Sequence, residues 1–263
     1  MKICICGKGG SGKSTVVKLM ADALRKYGKE VTVLDSDESN TSLYWMLGFE
    51  RPPQPLMDSL GGKKSVQAKM IERFSRGENE PEMSIWQQDF ISPDLLRPGF
   101  IVEKGGLKLI QTGKIHQALE GCACPMGAVT REFLKKVELG PNDVMLVDME
   151  AGMEHFGRGV ETSVDAVVCV VEPSLESVKM ASKVRELTRS VGAAFRGAIL
   201  NKVASSEQEA VLSEKLKDAG VPILGAIHYH GDIVAACLEG GVLDAPRAST
   251  EMELIVETYH LNN

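Results

Sequence analysis

The stretch "GKGGSGKST", Gly7–Thr15, follows the apolar run "KICIC" (2–6) and precedes a helical pattern over 13–27. It fits G-x-x-x-x-G-K-[ST] in the strand–loop–helix setting that pattern requires. Gly7, Gly9, Gly10 and Gly12, with Ser11 among them, let backbone N–H groups close around phosphate oxygens. The N-terminus of the following helix adds its positive end. Lys13 is placed to reach the β- and γ-phosphates, the Ser14 hydroxyl to ligate Mg²⁺, and Thr15 ends the motif. A Mg²⁺-dependent nucleotide site is expected here.

Working outward, apolar runs alternate with helical patterns. Strands are predicted at 2–6, 30–35, 107–111, 143–149, 166–172, 196–201 and 222–227. Helices are predicted at 13–27, 40–48, 125–138, 174–191, 206–219, 231–239 and 249–259. Strands apolar on both faces and separated by helices predict an α/β fold with a doubly wound, mostly parallel sheet flanked by helices. The expectation is one domain over 1–263. Residues 50–105 fit the alternation least, with "RPPQP", "GGKK", "GENEPE" and "RPG" around the helical-looking "SVQAKMIERF". That insertion reads either as a cover for one end of the sheet or as a docking or nucleotide-gated surface.

The balance of 43% hydrophobic and 25% charged residues is that of an ordinary soluble chain. A net charge of −6 gives no overall attraction to nucleic acid or anionic lipid, so neither is an expected partner. No apolar run approaches the ~20 residues of a membrane span, and the first ten residues turn to glycine too soon for a signal peptide. A cytoplasmic protein is expected, in which the six cysteines are thiols, ligands or core filler rather than disulfides.

Cys-x-Cys occurs twice. In "KICICG" the pair lies in a strand, which sets the two residues roughly 6.6 Å apart. Two thiolates on one tetrahedral zinc are only about 3.8 Å apart. Cys4 and Cys6 therefore read as buried small hydrophobes, as do Cys169 and Cys237. "GCACPMG", Gly121–Gly127, differs: Gly121, Pro125 and Gly127 suit a bend, and Pro125 can open a helix. There Cys122 and Cys124 can face one ion or stand as unliganded thiols. A disulfide between them is disfavoured by its small ring. His116 is close enough in sequence to assist a metal, and reads equally as a solvated loop histidine.

Lys8, a second lysine inside the phosphate loop, makes "GKGGSGKST" resemble the deviant Walker A class of MinD, ParA and the nitrogenase iron protein. The resemblance implies ATP held between two subunits of a homodimer, with Lys8 reaching the partner's nucleotide. "LDSDESN" (34–40) resembles switch I of that class. It implies Asp37 positioning the attacking water, with Asp35 and Asn40 helping to place Mg²⁺ and the loop; Asp35 also reads as a simple strand-end cap. "MLVDMEAG" (145–152) resembles switch II, with Asp148 near Mg²⁺. "LNKV" places Asn201 where the class pairs with the adenine edge. "AIHYHGD" departs from the class by carrying His228 where a proline is usual.

A twofold dimer would bring four cysteines together, two from each chain. "GCACP" before "DMEAGMEHFGRG" and "VVEPSLESVK" resembles the CooC-type ATPases within that class. This implies Ni²⁺ or Zn²⁺ at an intersubunit site of Cys122 and Cys124, and nickel delivery to a client apo-enzyme such as carbon monoxide dehydrogenase. The competing expectation is an ATP-gated reductase component holding a [4Fe–4S] cluster between subunits. A MinD-like regulator is disfavoured, because "ELIVETYHLNN" lacks a basic amphipathic face.

Overall fold

In a computed structural model, described over residues 1–76, 86, 89–115, 124–157 and 159–259, the chain forms an eight-stranded sheet. The strands are β1 Lys2–Gly7, β2 Glu30–Ser36, β3 Ile101–Lys104, β4 Leu107–Gln111, β5 Asp143–Met149, β6 Ala166–Val171, β7 Ala194–Val203 and β8 Ile223–His228. The helices are α1 Lys13–Lys26, α2 Leu43–Met46, α3 Leu56–Ser59, α4 Gly62–Arg76, α5 Cys124–Lys136, α6 Glu154–Gly157, α7 Leu175–Val191, α8 Ser206–Asp218, α9 Gly231–Glu239 and α10 Pro246–Thr258.

The sheet order is β3-β4-β2-β5-β1-β6-β7-β8, and every pairing is parallel except β3 with β4. This is the predicted doubly wound α/β architecture. Alternation along β1 shows how both faces are buried. Ile3 and Ile5 enter the core layer shared with α1 and α10, while Cys4 and Cys6 enter the layer shared with α5, α7 and α8. Cys4, Cys6 and Cys169 are free and buried, as predicted. Burial pushes the Cys4 thiol well above its ordinary range. Cys237 is a correction: it is exposed on α9, which buries none of its residues.

Three differences from the pattern reading have a local cause. The helix predicted at 40–48 shrinks to α2, because side chains upstream take backbone donors that a helix would need. Asp37 Oδ1 accepts from the N–H of Ser39 (2.9 Å) and Asn40 (3.2 Å), and Asn40 Oδ1 accepts from Ser42 N–H (2.8 Å). α10 starts earlier than predicted, at Pro246, a residue suited to a first helical turn. β3 was not predicted. It pairs antiparallel with β4 across Gly105 (φ 56°) and Gly106 (φ 78°), a two-residue turn that needs positive φ at both positions. Within 50–105, Leu56, Met57, Val66, Trp86 and Ile91 pack into the core layer that includes Phe133 of α5.

The parallel order sends the C-terminal ends of β1, β2, β5, β6, β7 and β8 to one edge. The phosphate loop, Asp37, Asp148, Asn201 and His228 all lie at or just beyond strand ends on that edge.

Candidate nucleotide site

The loop after β1 closes through a 3.1 Å bond from Ser11 N–H to the Lys8 carbonyl. Gly7 (φ 147°) passes so close to β6 that a Cβ there would stand 2.5 Å from the Val170 carbonyl oxygen. Gly12 caps α1 in the left-handed region, and a Cβ would stand 2.1 Å from Asn201 Nδ2. No side chain caps α1 and no acidic residue occupies its first turn, so its leading N–H groups face the loop as an anion site. Lys13 is buried at the helix start, and Thr15 behind it is buried too.

Ser14 is bonded to Asp148 and Asn40, two of the groups expected to help place Mg²⁺. The Ser14 hydroxyl donates to Asp148 Oδ2 (2.6 Å) and accepts from Asn40 Nδ2 (2.7 Å). Asp148 is fully buried, and its Oδ1 has no hydrogen-bond partner among the described residues. Burial, and next the neighbouring Asp35, push its carboxyl up to about 7. An orphaned carboxylate oxygen beside a hydroxyl is a hard-oxygen setting that fits Mg²⁺. When bound, Mg²⁺ would neutralise phosphate charge there; Ser14 and Asp148 would hold it.

Asp35 is placed differently from the simplest expectation. Both its oxygens accept from Lys114 Nζ at 2.7 Å, and the pair is 5% exposed on each side. Burial raises the Asp35 carboxyl to about 6 against the lowering influence of Lys114. Asp35 therefore stands across from Asp148 in the sheet register but is engaged by a lysine. Asp37, just beyond it, is buried and held by Ser39 and Asn40.

Lys8 lies near the surface and pairs within its own chain, with Glu172 (3.2 Å) at the end of β6 and Glu176 (3.0 Å) on α7. The Glu176 and Glu172 hydrogen bonds raise its pKa. Asn201 donates its amide to the Ser11 carbonyl (2.7 Å), so here it braces the phosphate loop. Lys202, in the left-handed region at φ 62°, reaches the Gly10 carbonyl. His228 points Nδ1 at Glu251 (2.7 Å) and Nε2 at Glu209 (3.2 Å), while His230 Nε2 meets the other Glu251 oxygen (3.0 Å). With a carboxylate at each nitrogen, His228 is suited to its doubly protonated form, and Glu251 foremost raises its pKa.

Sequence reasoning missed Lys114, the bracing role of Asn201 and the carboxylates around His228. A lysine after a strand carries no local signal, and Glu209 and Glu251 are distant in sequence. Of the cysteine pair, Cys122 lies outside the described residues, as does His116. Cys124 opens α5 and is exposed. It is disulfide-bonded, contrary to the expectation that a disulfide is disfavoured. Among the described residues no group of three or more His, Cys, Asp or Glu side chains is arranged to hold a metal ion.

The family profile of the CobQ/CobB/MinD/ParA nucleotide binding domain matches residues 3–242. The chain belongs to that family. The chain, with its mostly parallel sheet, is thus a nucleotide-binding P-loop ATPase. Among the similar proteins of this ATPase family, an uncharacterised ATP-binding protein of Methanocaldococcus jannaschii is 40% identical over 93% of this chain and 94% of its own. The carbon monoxide dehydrogenase accessory protein CooC of Rhodospirillum rubrum is 32% identical, covering 90% of this chain and 86% of its own. The human cytosolic Fe-S cluster assembly factor NUBP2 is 26% identical over 90% and 82%. The septum site-determining protein MinD from Pyrococcus horikoshii, solved with Mg-ADP, shares the fold at a TM-score of 0.68 and 20% identity, over 99% of this chain and 96% of its own. No helix among the described residues is long and apolar enough to cross a membrane.

Proposed function

We propose that this ATPase works as a cytoplasmic homodimeric metallochaperone. It binds Mg·ATP between subunits and carries a metal on Cys122 and Cys124, two from each chain. It thereby supports nickel insertion into carbon monoxide dehydrogenase or a related apo-enzyme. The observation that carries the reading is the 32% identity to CooC over nine-tenths of this chain, in a sequence that has its own Cys-x-Cys, the second cysteine of which opens α5.

The site's chemistry supports the nucleotide half of the reading. Lys13 and the open N-terminus of α1 bind phosphate, and Ser14 with Asp148 holds Mg²⁺. Asp37 orients the attacking water, with Ser39 and Asn40 fixing its carboxylate. Lys8 exchanges Glu172 and Glu176 for the nucleotide of the other subunit, adding positive charge where negative charge builds. The thiol half requires reduction. A sulfur held in a disulfide cannot ligate as thiolate, so loading is confined to the reduced protein.

The similarity to NUBP2 favours one second reading, a [4Fe–4S] cluster on the same four thiolates. Metal analysis after anaerobic, reducing purification tests both, beside a Cys122→Ser/Cys124→Ser variant. About half a nickel or zinc per chain, lost in the variant, is expected for one four-thiolate ion per dimer. About two irons and two sulfides per chain would put the cluster first. No thiol-dependent metal at all would remove both.

A further inference from the structure

Lys114 lies three residues beyond the end of β4, ahead of the cysteine pair in sequence. Its side chain is buried, and its three donors are all used inside switch I. Two meet the Asp35 carboxylate at 2.7 Å each, and the third meets the Asp37 carbonyl at 2.5 Å. The backbone repeats the connection on both sides of that lysine. Thr112 N–H donates to the Asp35 carbonyl (2.9 Å), and Ile115 N–H donates to the Glu38 carbonyl (3.1 Å). Residues 112–115 are therefore laced along residues 35–38.

The other flank of the cysteine pair is tied to the same place. Cys124 is the first residue of α5, and Thr130 lies in the second turn of that helix. Thr130 Oγ1 is 2.8 Å from Ser36 Oγ and 2.9 Å from Thr112 Oγ1. The hydroxyl triad of Ser36, Thr112 and Thr130 joins switch I, residues 112–115 and α5 at one point. Whatever moves Asp35–Glu38 must carry both flanks with it or break this network. A buried ion pair with all its donors satisfied moves as a unit, because separating it strands two charges away from water.

We propose that Lys114, seconded by Thr130, is a positioning residue that couples the nucleotide state of switch I to the thiol site at Cys124. The inference rests on the metallochaperone reading only for the use made of Cys124; the coupling itself is a property of the ATPase. Binding of Mg·nucleotide repositions Asp37 toward the phosphates, Lys114 follows the Asp35 carboxylate and Asp37 carbonyl, and residues 112–115 and, through Thr130, the helix that opens at Cys124 shift with them.

The test uses the full-length, reduced protein and follows iodoacetamide alkylation of Cys124 by peptide mass spectrometry. Rates are compared without nucleotide and with Mg²⁺ plus a non-hydrolysable ATP analogue. A rate ratio of about fivefold or more is expected in the wild type, the lower range of measured coupling between sites. Lys114→Met and Thr130→Val should each bring the ratio toward one, while Lys114→Arg, which keeps the charge, should restore part of it. A purely structural role would shift the rates in both states together and leave the ratio unchanged.

A wild-type ratio of one overturns the coupling outright. A Lys114→Met protein that melts cooperatively and keeps the wild-type ratio overturns the role of Lys114. Should Lys114→Met fail to fold, Thr130→Val decides, since it buries no unpaired charge; a wild-type ratio there overturns the proposal. Metal content of the same wild-type sample separates the two failures. Absent metal sinks the metallochaperone reading while the alkylation ratio still reports on Lys114.

Discussion

Asp148→Asn should make the nucleotide-free protein less sensitive to rising pH. Asp148 is fully buried and its carboxyl is pushed up from 3.8 to about 7, by burial first and by Asp35 next. A carboxyl raised in the folded state keeps its proton where the unfolded chain has already lost one. Between those two values the folded state binds more protons, so stability falls as pH rises. The slope is about 1.4 kcal/mol per pH unit, and it ends near the folded value. From pH 5.5 to 7 this amounts to about 2 kcal/mol, with little further loss above. The asparagine variant keeps an acceptor for the Ser14 hydroxyl and has no proton to lose.

Urea unfolding in EDTA at pH 5.5 and pH 8 measures the effect. The informative quantity is the wild-type loss minus the variant loss, because Asp35, raised to about 6, and His228 also titrate in this range and contribute to both. The difference should be about 2 kcal/mol, with the wild type the more pH-sensitive protein. Equal pH dependence within about 0.5 kcal/mol, or a wild type that gains stability with pH relative to the variant, would refute the reasoning. Mg²⁺ with ADP should flatten the wild-type curve, since a cation at Asp148 favours the deprotonated carboxylate that burial disfavours.

Three further outcomes follow from the site. Lys8→Ala should abolish ATP hydrolysis, by about 10³-fold or more, while leaving nucleotide binding to the monomer intact; unchanged turnover would remove the trans-acting lysine. Asp37→Ala should trap an ATP-bound dimer visible by light scattering, and a variant that stays monomeric with ATP would count against the nucleotide sandwich. His228→Gln should remove a stability component that is present below pH 6.5 and lost as pH rises through the raised folded value. Thermal melts at pH 6 and pH 8 check this, and a wild type whose melting point rises more than the variant's over that interval would contradict it.

The strand–loop–helix at Gly7–Thr15 was legible because its glycines, Lys13 and Ser14 fall within nine consecutive residues at the spacing a phosphate loop needs. The paired alternation of Ile3 and Ile5 against Cys4 and Cys6 was legible for the same reason, since a strand's two faces are written two residues apart. The Asp148–Ser14 contact was reachable through motif order. What was not legible depends on partners remote in sequence. Lys114 meets Asp35 across 79 positions, and Asn201 meets Ser11 across 190. Neither neighbour announces the other. Cys237 was misread because it was judged by residue type alone; α9 presents it outward while only Ile233 and Ala236 pack against the core layer. The lost turns of the predicted 40–48 helix had a readable cause, a run of Asp, Ser and Asn able to bond their own backbone.

The two lysines that bracket the nucleotide machinery divide its work by their surroundings. Lys8 is held by carboxylates near the surface, one of which, Glu176, is 78% exposed. Such pairs are screened by water and exchange partners at little cost. On the proposed reading that is what a trans-acting residue needs: a resting place that keeps it out of its own site and releases it to a stronger field of phosphate charge in the dimer. Lys114 has the opposite setting, 5% exposed with every donor engaged. It cannot exchange partners without exposing or stranding charge, so it transmits displacement instead of switching contacts. On the proposed reading the exposed pair releases Lys8 to the partner's nucleotide, and the buried pair carries movement of Asp35–Glu38 to residues 112–115. Removing the first should silence hydrolysis. Removing the second should uncouple the reactivity of the thiol from the nucleotide state.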